Sequence, residues 1–109
     1  MRGGGGLDLN RLMKQAQDIQ KATAKVQEDL KERIVEGTSG GGVVSVKANG
    51  QQEIMAVKIK PEAVDLKDLS LLEDLIAAAV NQAVKKAKEL AEAEIQKATG
   101  GVVPPGFKM

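Results

Sequence analysis

The sequence predicts an α+β fold: a long N-terminal helix, a three-stranded antiparallel meander and a long C-terminal helix. Three observations predict it. Apolar residues recur every three or four positions from Leu9 to Leu30 and again from Leu72 to Leu90, the spacing of a helix face. Between those stretches the period drops to two, the spacing of a half-buried strand. The alternating runs are separated by "TSGGG" and "ANGQQ", both rich in turn formers. At 109 residues the chain suits one domain, placed at 8–99. A flexible glycine-rich arm (1–7) and a flexible tail (100–109) are expected to flank it.

The first helix begins near Asp8 or Asn10, both good N-caps, and runs to about Glu32. Leu9, Leu12, Ala16, Ile19, Thr23, Val26 and Leu30 alternate in steps of three and four, a heptad seam with one polar slip at Thr23. Arg33 to Thr38 reads as a first strand. Val43 to Ala48 is a second, with Val44, Val46 and Ala48 on one face. Asn49-Gly50 predicts a tight hairpin with positive φ at both residues. Glu53 to Lys60 is a third strand, with Met55, Val57 and Ile59 on one face, and Pro61 stops it. "SLLE" offers a capping box, Ser70 at N-cap and Glu73 three residues on. The second helix runs to about Ala98, where Gly100 and Gly101 end it. Its stripe holds Leu72, Ile76, Ala79, Val80, Ala83, Ala87 and Leu90, and the alanines permit close approach of another backbone.

Composition narrows the function. Apolar residues make up 42% of the chain, yet Phe107 is the one aromatic residue, so the core must be aliphatic. Such a core buries less area per side chain, and pairing with a second copy supplies the rest. Length points the same way. A helix from Asp8 to Glu32 spans about 37 Å, whereas a strand of about six residues spans about 20 Å. The overhanging apolar residues need cover, so a homodimer is expected. Its interface is assigned to Leu12, Ala16, Ile19 and Val26 of the first helix and Ala79 and Ala83 of the second.

There is no Cys and no His. That removes disulfides, thiolate chemistry, the usual near-neutral acid–base group and the commonest metal ligand. No apolar run approaches the roughly 20 residues of a membrane span, and the N-terminus lacks the apolar segment of a signal peptide. A soluble, intracellular protein is expected. "GTSGGG" looks like a phosphate loop, but Val43 and Val44 stand where Lys and Ser/Thr would be needed. Asp65 and Asp68 make an incomplete cation site, and Ser39, Ser45 and Ser70 have no His to activate them. No catalytic residue, metal, cofactor or small-molecule substrate is expected.

Net charge is +1, so any affinity for nucleic acid must come from local segregation of charge. The first helix offers it. Arg11, Lys14, Lys21 and Lys25 fall within an arc of about 80°, opposite the apolar seam, over roughly 21 Å. Asp18 and Glu28 interrupt the stripe. Two readings compete: a solvated face laced with pairs such as Lys14–Asp18 and Lys25–Asp29, or a row of phosphate contacts. On the second helix Lys85 and Lys88 have Glu89 and Glu92 at i+4, whereas Lys86 has Leu90 and is less readily neutralised. Arg2, on the glycine arm, is a further candidate cation.

The stretches "GGLDLNRLMKQAQDIQ", "SGGGVVSVKANGQQEIMAVKIKPE", "LEDLIAAAVNQAVKKAKEL" and "TGGVVPPGF" together resemble the YbaB/EbfC family of bacterial nucleoid-associated proteins. The match covers nearly the whole chain in order. It implies a tweezer-like homodimer that binds DNA and organises the nucleoid, in the cytoplasm, with its long helices approaching DNA. It carries over Lys14 most directly, as the Lys of LMKQAQ. Arg11, Lys21, Lys25, Lys86 and Arg2 come from helix geometry and charge alone.

Two classes of function follow. One is a non-enzymatic DNA-binding dimer that contacts backbone phosphates and helps organise the nucleoid or influence gene expression. The other is a protein-interaction or chaperone-like clamp that uses its helical arms on polypeptide. Composition alone favours the clamp; the resemblance reverses the order.

Overall fold

The computed structural model of the chain describes residues 8–101. Arg2, the glycine arm and the tail from 102, Phe107 included, lie outside the described residues. The elements are α1 (Leu9–Leu30), β1 (Ile34–Ser39), β2 (Val44–Asn49), β3 (Ile54–Ile59) and α2 (Leu69–Thr99). The strands form one antiparallel sheet in the order β1-β2-β3. The expected helix, meander and helix are therefore present, with each end shifted by a residue or two.

α1 starts where the sequence places it, with the Asp8 carboxylate accepting from the Arg11 amide at 3.2 Å. α2 starts earlier than expected. Its cap is Asp68, not Ser70: the Asp68 side chain accepts from the Leu71 amide at 3.3 Å and from Ser70 Oγ at 3.1 Å. An ionised carboxylate two residues upstream outcompetes the hydroxyl, and Ser70 becomes its donor. Gly100, at φ 65°, closes the far end in the left-handed conformation.

The hairpin between β2 and β3 differs from the expected two-residue turn. Asn49 N–H donates to the Glu53 carbonyl at 2.9 Å, which leaves residues 50–52 as a three-residue loop. The left-handed residue is Gln52, at φ 65°. A turn ending in one left-handed residue is the usual three-residue solution. Asn49, 2% exposed, organises it. Its side-chain oxygen accepts from the amides of Gln51 and Glu53, and its Nδ2 donates to Glu53 Oε1 at 2.6 Å. Gly50 is required for another reason: its amide meets the carboxyl end of α1, donating to Leu30 O at 2.8 Å and Arg33 O at 2.9 Å.

Helix α2 crosses β1 and β2 at very short range. Val44, Val46, Ala48, Ala79 and Ala83 are all fully buried and form the sheet–helix core. A Cβ placed on Gly37 would fall on the Ala79 carbonyl and 2.5 Å from Ala83 N, so glycine in the strand and alanine in the helix are two halves of one fit. Ala79 and Ala83 are thus used inside the protomer, and their assignment to a dimer interface is corrected. The helix does not extend its cover to β3. Ile54 and Val57 stay 41% and 45% exposed, although the register sets them opposite the buried Ala48 and Val46; Met55, the extra residue at a register shift between them, is 57% exposed.

α1 attaches by its last turns, where it packs on α2 and where Leu30 and Ile95 are each 1% exposed. The molecule measures 79 × 20 × 16 Å, with a radius of gyration of 20.8 Å against about 13 Å for a compact chain of this size. Such a thin rod means that α1 runs out along the long axis as a projecting arm.

Candidate nucleic-acid interface

Burial along the α1 seam follows from that projection. Leu30 is 1% exposed, and Val26, Thr23 and Ile19 are half-buried. Leu12 is 43% exposed, Ala16 is exposed, and Leu9 reaches 66%. The Thr23 hydroxyl is shielded and has no hydrogen-bond partner among the described residues. The proximal half of the seam is closed by the protomer itself, and the distal half is open.

Arg11, Lys14, Lys21 and Lys25 are all exposed, on the opposite side of the same helix. The short-range pairs that would neutralise this face are not made. Among the described residues the ion pairs are Arg33–Glu94 at 3.3 Å and Lys97–Glu94 at 3.1 Å, both remote from the stripe. Those two cations hold the Glu94 carboxyl below its ordinary range, Lys97 through its hydrogen bond and charge, then Arg33. The four basic residues are therefore solvated cations on the outward face of α1, Lys21 and Lys25 over its packed half and Arg11 and Lys14 on its projecting end.

Lys86 is placed differently. Its Nζ donates to the Glu36 carbonyl at 2.9 Å, on the free edge of β1. One helical turn earlier, Gln82 Oε1 accepts from the Thr38 amide at 2.7 Å. Gln82 and Lys86 thus satisfy an acceptor and a donor that an edge strand leaves open, which blocks pairing with a further strand. Lys86 thus spends one of its three ammonium donors within the chain while its side chain stays exposed. Nothing in the sequence near Lys86 signals it, because β1 is some 50 residues away.

A second exposed surface is apolar. Ile54, Met55 and Val57 of β3 are 41–57% exposed, and Leu66, Leu69 and Leu71 of the following segment 49–80%. Between them Ile59, Pro61, Val64, Leu66 and Leu72 line an open groove of about 420 Å³. Contiguous apolar surface of this kind marks an interaction site. The sequence places Met55 and Val57 on one face of the strand, and in the structure both are exposed.

Fold and surface together define a small α+β protein that carries a basic helical arm and a separate apolar patch. The chain belongs to the YbaB/EbfC DNA-binding family, whose model matches residues 4–102. It is similar to nucleoid-associated protein TTE0040 of Caldanaerobacter subterraneus subsp. tengcongensis, at 49% identity over 94% of this chain and 93% of the relative. A nucleoid-associated protein of Acetivibrio thermocellus is 52% identical over 91% of this chain and 88% of that one. Among solved structures, an uncharacterized protein of Helicobacter pylori, HP0035, superposes with a TM-score of 0.70 at 26% identity, over 81% of this chain and 92% of that chain. No helix among the described residues is long and apolar enough to cross a membrane.

Proposed function

We propose that the chain is a non-enzymatic, nucleoid-associated protein of the cytoplasm that binds DNA as a homodimer, mainly through backbone phosphates. One observation carries the proposal: Arg11, Lys14, Lys21 and Lys25 line one side of a projecting arm and make no ion pair among the described residues. Cations of this kind displace counterions condensed on the duplex, and that release supplies affinity without reading sequence. Family membership and the relatives' names support DNA as the partner.

The dimer belongs to the same proposal. A second copy covers the apolar strip of β3 and the 64–72 segment. The strip carries no charge between Ile54 and Val57, so a second copy packed on it about a two-fold axis buries no unpaired charge there. Leu12 and Ala16, on the open half of the seam, and the half-buried Ile19 beside them supply further contacts between arms. Two arms per dimer double the phosphate row.

The test is duplex binding by Lys14→Gln, Lys21→Gln, Lys25→Gln, which keeps helix-compatible side chains. The variant should stay folded and dimeric, weaken binding to unrelated duplexes by similar factors, and flatten the salt slope. Unchanged affinity and slope would return the stripe to a solvated face. A clamp for unfolded polypeptide is the second reading, favoured by Leu9 and Met13 at 66% and 60% exposure on the arm. Its binding would be insensitive to salt.

A further inference from the structure

The sheet has two faces, and α2 covers one. Neighbouring residues of a strand point to opposite faces, so Ser45 and Lys47 of β2 point away from the core formed by Val44, Val46 and Ala48. The register sets Lys58 of β3 opposite Ser45 on that outer face. Lys60 follows on the same side, held to the sheet by its amide, which donates to the Val43 carbonyl at 2.9 Å. Lys47, Lys58 and Lys60 are all exposed. The acids on this face are Glu36, which the register sets opposite Lys47 and whose carboxylate accepts from Ser45 Oγ at 2.6 Å, and Glu62, so the three lysines keep a net positive charge. A groove of about 380 Å³ lies at this end of the sheet, with Ser45, Lys58, Lys60 and Glu62 at its polar side and Val43, Ile59 and Pro61 along its floor and wall. A Cβ on Gly42 would lie 3.9 Å from Lys60 Nζ, so the Lys60 ammonium stands over the turn backbone.

Position gives the patch its meaning. α1 is fastened at the hairpin end of the sheet, through Gly50. The groove lies at the opposite end, beside the turn at Gly40–Gly42. A strand of six residues separates the two ends by about 20 Å, and the basic arm runs a further ~30 Å the other way. In a rod 79 Å long and 16–20 Å thick, the two basic surfaces face different parts of space.

We infer that the outer sheet face and its groove bind the phosphate backbone of a second duplex, so that the protein bridges DNA from arm to sheet. The inference rests on the DNA-binding reading of the arm. Lys58 and Lys60 reach two phosphates, Lys47 a third on the diagonal, and Ser45 donates beside them when Glu36 releases it. Exposed cations at the rim of a shallow groove suit a backbone and not a base edge.

The experiment captures a labelled duplex on an unlabelled immobilised one through the full-length protein. Lys47→Gln, Lys58→Gln, Lys60→Gln is the test variant. It should load the immobilised duplex within about threefold of wild type and lose at least tenfold in capture of the second. The salt slope of the capture step should flatten by about 2 to 3, at about 0.9 per contact. Lys67→Gln, Lys85→Gln, Lys88→Gln removes the same charge elsewhere and should bridge normally. Equal bridging by the sheet variant, or equal loss by the control, overturns the inference while leaving arm binding in place. If wild type loads no duplex at all, the DNA-binding reading itself falls. Melting temperatures of both variants should match wild type, because every altered lysine is exposed.

Discussion

Gly50 and Leu30 are in contact so close that no side chain fits between them. The Gly50 amide donates to Leu30 O at 2.8 Å, and a Cβ on Gly50 would stand 2.6 Å from Leu30 Cδ2. This contact is the joint between arm and sheet. It buries Leu30 and fixes the direction in which α1 leaves the body. Gly50→Ala should therefore destabilise the protein by about 1–3 kcal/mol and Gly50→Val by more, read by urea unfolding. The cause is overpacking and not handedness. Gly50 is not among the glycines held at positive φ, unlike Gly40, Gly41 and Gly42.

The edge clamp on β1 makes its own prediction. Gln82→Ala leaves the Thr38 amide without its acceptor, and Lys86→Ala frees the Glu36 carbonyl. Each should cost about 1 kcal/mol. Amide exchange at Thr38 should speed up strongly in Gln82→Ala and little in Lys86→Ala. The double variant should self-associate more at high concentration, because an open strand edge pairs with another.

The apolar strip of β3 predicts the oligomeric state. Val57→Asp places a carboxylate on a residue that is 45% exposed in the protomer, so folding should survive. Burying that charge against a second copy is costly, and the dimer should dissociate at micromolar concentration in sedimentation analysis. Leu12→Asp separates the two candidate contacts. Loss of the dimer with Leu12→Asp and not Val57→Asp would place the interface on the arms.

Glu94 gives an acid limb to stability. Its folded pKa lies below the ordinary value of 4.5 because Lys97 and Arg33 favour the carboxylate. A depressed carboxyl contributes stability that is present above the unfolded value and is lost as pH falls through the folded one. Glu94 is a surface group, so the contribution is small. Unfolding measured from pH 6 to pH 3 should show Glu94→Gln converging on wild type only at the acid end.

Much of this architecture is written in short-range pattern. The α1 seam, the alternation in β2 and the glycines after α2 depend on neighbours a few residues away, and the structure follows them. What the sequence hides is long-range. Asn49-Gly50 reads as a left-handed pair until Leu30 is seen lying on Gly50. Ala79 and Ala83 read as an open surface until Gly37 is seen beneath them. Lys86 reads as a free cation until the β1 edge reaches it. Met55, Val57 and Ile59 read as one face of a strand, but periodicity cannot show that α2 stops short of β3. The basic stripe was legible as a row of charges, but its freedom from ion pairs was not, since Lys14–Asp18 and Lys25–Asp29 have spacing that permits them.

The central claim is that the protein holds DNA by its phosphates through the α1 arms. The most direct test is the affinity of the wild-type chain for two duplexes of unrelated sequence, measured from 50 to 200 mM salt. Four arm cations on one protomer should give a slope of log affinity against log salt near −3 to −4, and up to twice that if both arms engage. The two duplexes should give the same slope and affinities within about threefold. A flat salt dependence, or strong binding to one duplex and none to the other, would contradict it.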